Sequence, residues 1–407
     1  MTRRKLWIIS ELYYPEQTST GYFLTGIGEG LARDRDVQVI CSKPTYSERG
    51  MNVPRREVRA GTTIHRMRST SFDKDRVLGR IINLITFTIT TLVFFAVHVR
   101  RGDTMLVVTN PPTLPPLLAI VARIRGARSI LLVHDVYPEV LAATGHLSKS
   151  SIGYRLLHGF FARTYQLFTD IVVLGRDMAA LARDKIGDAR THLTIIPNWG
   201  DIDEIIPMGR EENIFARQHD LIDKTVIQFS GNMGRTHDLE LVLTLADRLS
   251  SREDIAFLFV GYGGKARLVD QHRRKEQLSN MLFLPRQPRE MLGAMLACSN
   301  ATIISFVGGM FGVSVPSRMY NVMAAGVPII AVADPRSELS LLVEEAACGW
   351  TFTADAIDRI EQLILSIASE AGARDAAGRG DAGRRAVERD YTLDTVIAKF
   401  RALLDQQ

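Results

Sequence analysis

Cysteine is nearly missing from this chain. Cys41, Cys298 and Cys348 are widely spaced and form no C-x-x-C pair. That scarcity excludes a disulfide-built scaffold and a zinc ribbon, and it predicts small buried thiols in a reduced, cytoplasmic setting. No basic run interleaved with aromatics occurs, so nucleic acid is not an expected partner. The polar bias of disordered chains is missing too: 46% hydrophobic and 23% charged residues are the mix of a folded globular protein. The N-terminal MTRRKLWIIS is basic, but its apolar run is too short for a signal peptide and reads as a first strand. What is present is length, 407 residues, which suits two domains, and a net charge of +5, which favours an anionic partner.

Apolar runs of strand length alternate with helical periodicity. In the first half they fall at residues 6–9, 37–42, 62–67, 103–112, 130–133, 170–175 and 193–198. Pro197-Asn198-Trp199-Gly200-Asp201 then punctuates the chain and predicts an interdomain linker. A second run starts at 225 and continues through 255, 280, 301 and 327. Its strands lead into glycine or proline and then a basic residue, as in Gly231 to Arg235, Gly264-Lys265 and the loop to Arg318. Strand C-termini converge in a parallel sheet, so Arg235, Lys265 and Arg318 are candidates to surround one diphosphate. In the first half the same logic selects the polar loop Thr18-Ser19-Thr20-Gly21 and the His134-Asp135 pair. A loop histidine in ordinary hydrogen bonds, followed by a helix-capping aspartate, is the plainer alternative for that pair.

Residues 309–331 carry the densest pattern. A Gly-rich loop leads through Val313, Ser314 and Ser317, expected as an N-cap, to Arg318 and a short helix that Gly326 should stop. Two D-x-D triplets, 34–36 and 201–203, read as solvated turns and not as metal sites. Residues 77–99 contain no acid and one charge, Arg80, with Arg100 and Arg101 following. That length could span a bilayer. The next residues read as a strand of the same sheet, so a helix lying on the membrane surface is expected, a buried core helix being the alternative.

PSRMYNVMAAGVPIIA, residues 316–331, resembles the nucleotide-sugar signature of glycosyltransferase family 4. The likeness is strongest to members that build O-antigen, capsule and exopolysaccharide repeats. It implies the α/β GT-B fold: two Rossmann-like domains whose parallel sheets face across a cleft. The expected domains are 1–198 for the acceptor and 199–390 for the donor, with 391–407 a helix returning to the first domain. The implied donor is a nucleoside diphosphate sugar, a UDP-sugar first, and the implied acceptor a polyprenyl diphosphate-linked saccharide at the inner face of the plasma membrane. Retention without metal or other cofactor is implied as well. By the same resemblance Thr20 and Gly21 approach the diphosphate with Gly231, Arg235, Lys265, Ser314, Ser317 and Arg318. His134 and Asp135, with Glu139 further on, contact the acceptor or the transferred sugar. Val313 and Asn321 stand where the family carries two glutamates, leaving Asn321 to meet the ribose. A sugar-nucleotide epimerase of the same fold and a non-catalytic assembly subunit are the rival readings.

Overall fold

In a computed structural model the described residues are 4–44, 48, 50–70, 72 and 77–406, the side chains of Val77 and Arg80 excepted. The chain divides into two compact units. The first comprises Met1–Pro138, Ser148–Pro197 and Leu393–Gln407, and the second Glu139–Leu147 and Asn198–Thr392. Glu139–Leu147, read from the sequence with the first half, thus groups with the second.

The first unit holds β1 (Lys5–Ile9), β2 (Asp36–Cys41), β3 (Arg56–Arg59), β4 (Thr62–Arg66), β5 (Thr104–Val108), β6 (Arg128–Leu132), β7 (Asp170–Val173) and β8 (His192–Ile195). Their order is β3-β4-β2-β1-β5-β6-β7-β8, parallel except for β3 against β4. β1 is central, so Leu6, Trp7, Ile8 and Ile9 are all buried, as expected for a strand covered on both faces. Asp103 ties it to its neighbour, accepting from Lys5 N (3.0 Å), Trp7 Nε1 (3.1 Å) and Arg100 N (2.9 Å). β3 was not expected: its sequence, REVR, is an exposed charged edge with no apolar run to reveal it.

The helix Val77–His98 shows two faces. Phe87, Thr91 and Phe95 are buried, and Phe95 meets Trp7 edge-on at 6.1 Å. Leu78, Ile81, Ile85, Ile89, Val93 and Val97 form an exposed stripe, mostly at i, i+4 spacing. It is therefore not a wholly buried core helix. The last helix, Leu393–Asp405, packs on Ser19–Leu31: Ile397 abuts Gly30, and Arg401 Nη2 donates to Gly30 O (3.2 Å).

The second unit holds β9 (Thr225–Asn232), β10 (Ile255–Tyr262), β11 (Met281–Leu284), β12 (Ala301–Ser305), β13 (Ile329–Val332) and β14 (Gly349–Phe352). Every pairing is parallel, in the order β11-β10-β9-β12-β13-β14. The strand order reverses between β9 and β12, and at such a switch point connections leave to opposite faces and open a crevice at the strands' C-terminal ends.

Candidate functional site

The residues at that switch point are held by three cross-links. Val307 N donates to Thr236 O (3.0 Å) and Ser305 Oγ to Asp238 O (2.7 Å), clamping the turn after β9 onto the end of β12. Asp238 then caps the helix Leu239–Arg248, accepting from Leu241 N (3.0 Å). His237, in the middle of this turn, is buried, its ring stacked on Phe306 at 5.3 Å. Its Nδ1 lies 3.0 Å from Ser305 O. A carbonyl only accepts, so Nδ1 carries the proton and Nε2 presents a lone pair. That lone pair accepts from Arg318 Nη2 at 2.7 Å. Burial, then the Arg318 charge, push the His237 pKa down to about 3, so the ring is neutral at pH 7.

Arg318 follows the loop from β12 and opens the helix Arg318–Ala324. Besides His237 it donates through Nη1 to Ser230 O (2.7 Å) and through Nη2 to Asn232 O (3.3 Å), and its guanidinium lies 4.8 Å from the Phe229 ring centre. Burial lowers its pKa to about 10, which leaves it cationic. Its acceptors are two carbonyls and a neutral imidazole; no carboxylate among the described residues pairs with it. The end of β9 therefore carries a fixed, uncompensated positive charge. Gly231 makes room for it, with a φ of 115° and a position where a Cβ would stand 3.4 Å from the guanidinium carbon.

The other basic residues are placed differently. Lys265 Nζ donates to His237 O (2.9 Å) and to Glu240 Oε2 (2.8 Å), so its charge is already matched. Against the opposing effect of desolvation, Lys265 holds the Glu240 carboxyl below the usual range. Arg235 is exposed in the same turn and pairs with no described residue. The structure thus brings Arg318 and Lys265 onto one histidine, with Arg235 two residues away in the chain.

Around the short helix several expectations change. Ser317 has helical φ and ψ and makes no side-chain capping bond, so it is not the expected cap. Gly326 does stop the helix, with φ 69°. Val313 is buried and offers no polar atom, while Ser314 is partly buried. Asn321 Oδ1 accepts from Asp201 N (3.1 Å), which commits that oxygen to the backbone and leaves only its amide N–H groups to offer. The 201–203 triplet is not a solvated turn either, since Asp201 pairs with Arg289 at 2.6 Å. In the other triplet, Asp34 pairs with Arg401 at 2.9 Å.

In the first unit the sheet's C-terminal edge gathers a second cluster. Thr109, just after β5, accepts from His134 N (3.1 Å) and Asp135 N (3.3 Å), fixing both residues beyond β6. Thr20 Oγ1 lies 3.4 Å from His134 Nδ1. His134 Nε2 is buried without a hydrogen-bond partner among the described residues. Burial lowers the His134 pKa to about 4 and raises that of Asp135 to about 6. Asp135 caps no helix, since the next begins at Glu139. Thr20 and Gly21 lie in the first turn of Ser19–Leu31 and not in a loop, and Gly21 N already donates to Thr18 Oγ1 (3.4 Å). Gly21 is required because Glu16 O would stand 2.6 Å from a Cβ there. Sequence reading missed His237, Glu240 and Thr109. The glycine-bracketed turn GNMGRTHD was the one signal that pointed towards His237.

The family model "Glycosyl transferases group 1" matches residues 210–382. Over 398 residues the chain is 31% identical to the probable glycosyltransferase WbjE of Pseudomonas aeruginosa, covering 98% of this chain and 97% of that one. It is 27% identical over 380 residues to the putative colanic acid biosynthesis glycosyl transferase WcaI of Escherichia coli strain K12, covering 89% and 91%. HepE of Anabaena, solved in complex with UDP and glucose, superposes with a TM-score of 0.73 at 13% identity over the whole of both chains. That likeness confirms the two-Rossmann-domain GT-B architecture, and the WbjE match settles the family: the chain belongs to the group 1 glycosyl transferases.

Proposed function

We propose that this protein transfers a sugar from a nucleoside diphosphate sugar, a UDP-sugar in the first instance, to a lipid-linked saccharide during bacterial surface polysaccharide assembly. The observation that carries this reading is Arg318: a cation without a carboxylate partner, anchored at the switch point of the second sheet. A diphosphate leaving group develops negative charge as the glycosidic bond breaks, and a preorganised cation favours that state more than the ground state. Arg318 and the exposed Arg235 supply this charge without a metal or other cofactor, and Lys265 steadies the turn through His237 and Glu240. Asn321 offers its amide N–H groups to the nucleoside ribose. In the first unit His134 and Asp135 receive the acceptor or the transferred sugar. The departing phosphate takes the acceptor proton, and the anomeric configuration is retained, as the resemblance to family 4 implies.

Support for a lipid-borne acceptor comes from the aliphatic stripe of Val77–His98. The neighbouring helix Leu114–Arg125 extends it with Leu117, Ile120 and Ile124, all exposed. Arg100, Arg101, Arg123 and Arg125 lie at the ends of these two helices. An apolar face with a cationic rim matches the inner leaflet of a membrane. The protein is therefore cytoplasmic and peripheral in this reading. Incubation with labelled UDP-sugars, with and without bacterial lipid extract, tests it. Label in the lipid fraction, with an α-linkage from an α-donor by NMR, is the expected result. An epimerised nucleotide sugar would make the chain an epimerase, and no reaction with any donor would favour a non-catalytic subunit.

A further inference from the structure

The helix Ile152–Gln166, which joins β6 to β7, has no part in the functional reading above. Ser151 caps it, accepting from Tyr154 N (3.1 Å). Only Thr164 and Tyr165, in its last turns, are buried. Tyr154, His158 and Phe161 recur at helical spacing and are half-buried, Phe161 lying 5.6 Å from the Tyr137 ring. Ile152, Leu156 and Phe160, four residues apart, form a second line that is 73%, 70% and 48% exposed, with Leu157 beside it. A helix that turns such a stripe outward is amphipathic in the wrong sense for water and needs an apolar cover.

Charge decides what that cover is. Residues 140–169 contain no Asp or Glu, while Lys149, Arg155 and Arg163 are exposed. The imbalance extends to the neighbouring helices. From 77 to 169 the acids are Asp103, Asp135 and Glu139, and none of them is exposed, whereas the four arginines at the ends of Val77–His98 and Leu114–Arg125 are. Leu114–Arg125 and Ile152–Gln166 each cross between adjacent parallel strands, and right-handed crossovers put both on one face of the sheet. Pro112 and Pro115 accordingly line one narrow slot with Phe161, Thr164 and Tyr165. An anionic leaflet offers acyl chains and negative headgroups together, which is what this aliphatic, acid-free surface complements. We propose that Ile152–Gln166 is a second lipid-docking element. Ile152, Leu156 and Phe160 enter the acyl boundary, and Lys149, Arg155 and Arg163 meet headgroup phosphates. The proposal rests on the peripheral-membrane reading but assigns contact to a helix that reading does not use. Two linked contacts bind by avidity and fix which face meets the bilayer.

The test uses the full chain with vesicles of phosphatidylcholine, alone or mixed with phosphatidylglycerol. In the variant Phe160→Trp, brominated acyl chains should quench the added indole when phosphatidylglycerol is present, the native chain giving the baseline of the other tryptophans. An added indole that stays unquenched while the protein cosediments would overturn the proposal and leave the contact to Val77–His98. The double variant Leu156→Ser, Phe160→Ser should weaken binding to the mixed vesicles at least roughly tenfold. Both side chains are exposed, so its UDP affinity and thermal unfolding should match the native chain. Undiminished vesicle binding by this variant would also overturn the proposal. So would a native dimer that the same variant dissociates, since a second copy would then cover the face. Quenching reads lipid contact at one position without sugar transfer. A chain that quenches but transfers nothing would defeat the enzymatic reading alone, and a chain that transfers sugar with the indole unquenched would defeat this proposal alone.

Discussion

At the residue scale, position 318 shows how a charge is made available. The guanidinium spends its N–H groups on Ser230 O, Asn232 O and the neutral ring of His237, none of which cancels its charge. Lys265 is the contrasting case, matched by Glu240 at 2.8 Å. Removing the first should therefore matter more to an anionic ligand than removing the second. Arg318→Ala is expected to weaken UDP binding by roughly 1.5–3 kcal/mol, the range for charge-assisted hydrogen bonds, and uridine binding far less. Lys265→Ala should weaken UDP binding by less than Arg318→Ala. Calorimetry with both ligands measures this, and equal losses of UDP and uridine affinity for Arg318→Ala would reduce the residue to a support of the fold. Arg318 was legible in the sequence because it follows an apolar strand and a small-residue loop. His237 was not, because nothing in the string reveals that one turn residue is buried under Phe306 with its tautomer set by Ser305. Asn321 was legible as a polar replacement for a glutamate, but its bond to Asp201 N joins positions 120 residues apart, beyond any local pattern.

At the scale of elements, the parallel strands were legible because burial on both faces makes them near-continuous apolar runs. β3 escaped because an edge strand needs no such run, and the start of Ser19–Leu31 shifted because Thr18 caps one turn before the loop was expected to end. The helix Val77–His98 is the informative case. Its composition is apolar all round, yet Phe87, Thr91 and Phe95 face the sheet while Ile81, Ile85, Ile89, Val93 and Val97 do not. Composition gives the total; only packing on Trp7 tells the two faces apart. A helix fastened to a sheet along one face is expected to lie on a bilayer, not cross it. The protein should cosediment with anionic vesicles and be released in part by salt or alkaline carbonate. Replacing Ile85, Ile89 and Val93 with Ser should weaken vesicle binding by on the order of 100-fold, given about 25 cal/mol per Å² of apolar area buried. UDP affinity should not change. Vesicle binding that survives both these substitutions and carbonate would mean that the face is not the contact.

At the scale of the whole molecule, burial lowers the pKa of histidines in both units, His65 and His134 in the first and His237 in the second. The folded pKa values, about 4 for the first two and about 3 for His237, lie below the unfolded value of about 6.5. Between pH 6.5 and 4 the unfolded chain therefore binds protons that the folded chain refuses. Stability contributed by these groups is present above pH 6.5 and is lost as the pH falls. Asp135 works in the opposite sense. Raised to about 6 by burial, it binds its proton earlier in the folded state, and from pH 6 to 4 it offsets much of what His134 costs. Acidification from pH 7 to 5 should then destabilise the second unit by about 2 kcal/mol through His237. The three tryptophans divide between the units, Trp7 in the first and Trp199 and Trp350 in the second, so variants keeping only one set report each unit separately. Urea unfolding at the two pH values should show this loss in the signal of the second unit. His237→Gln should flatten that difference even if it lowers stability at pH 7, because glutamine cannot take the proton. An unchanged pH slope in that variant would sink the assignment of the acid sensitivity to His237.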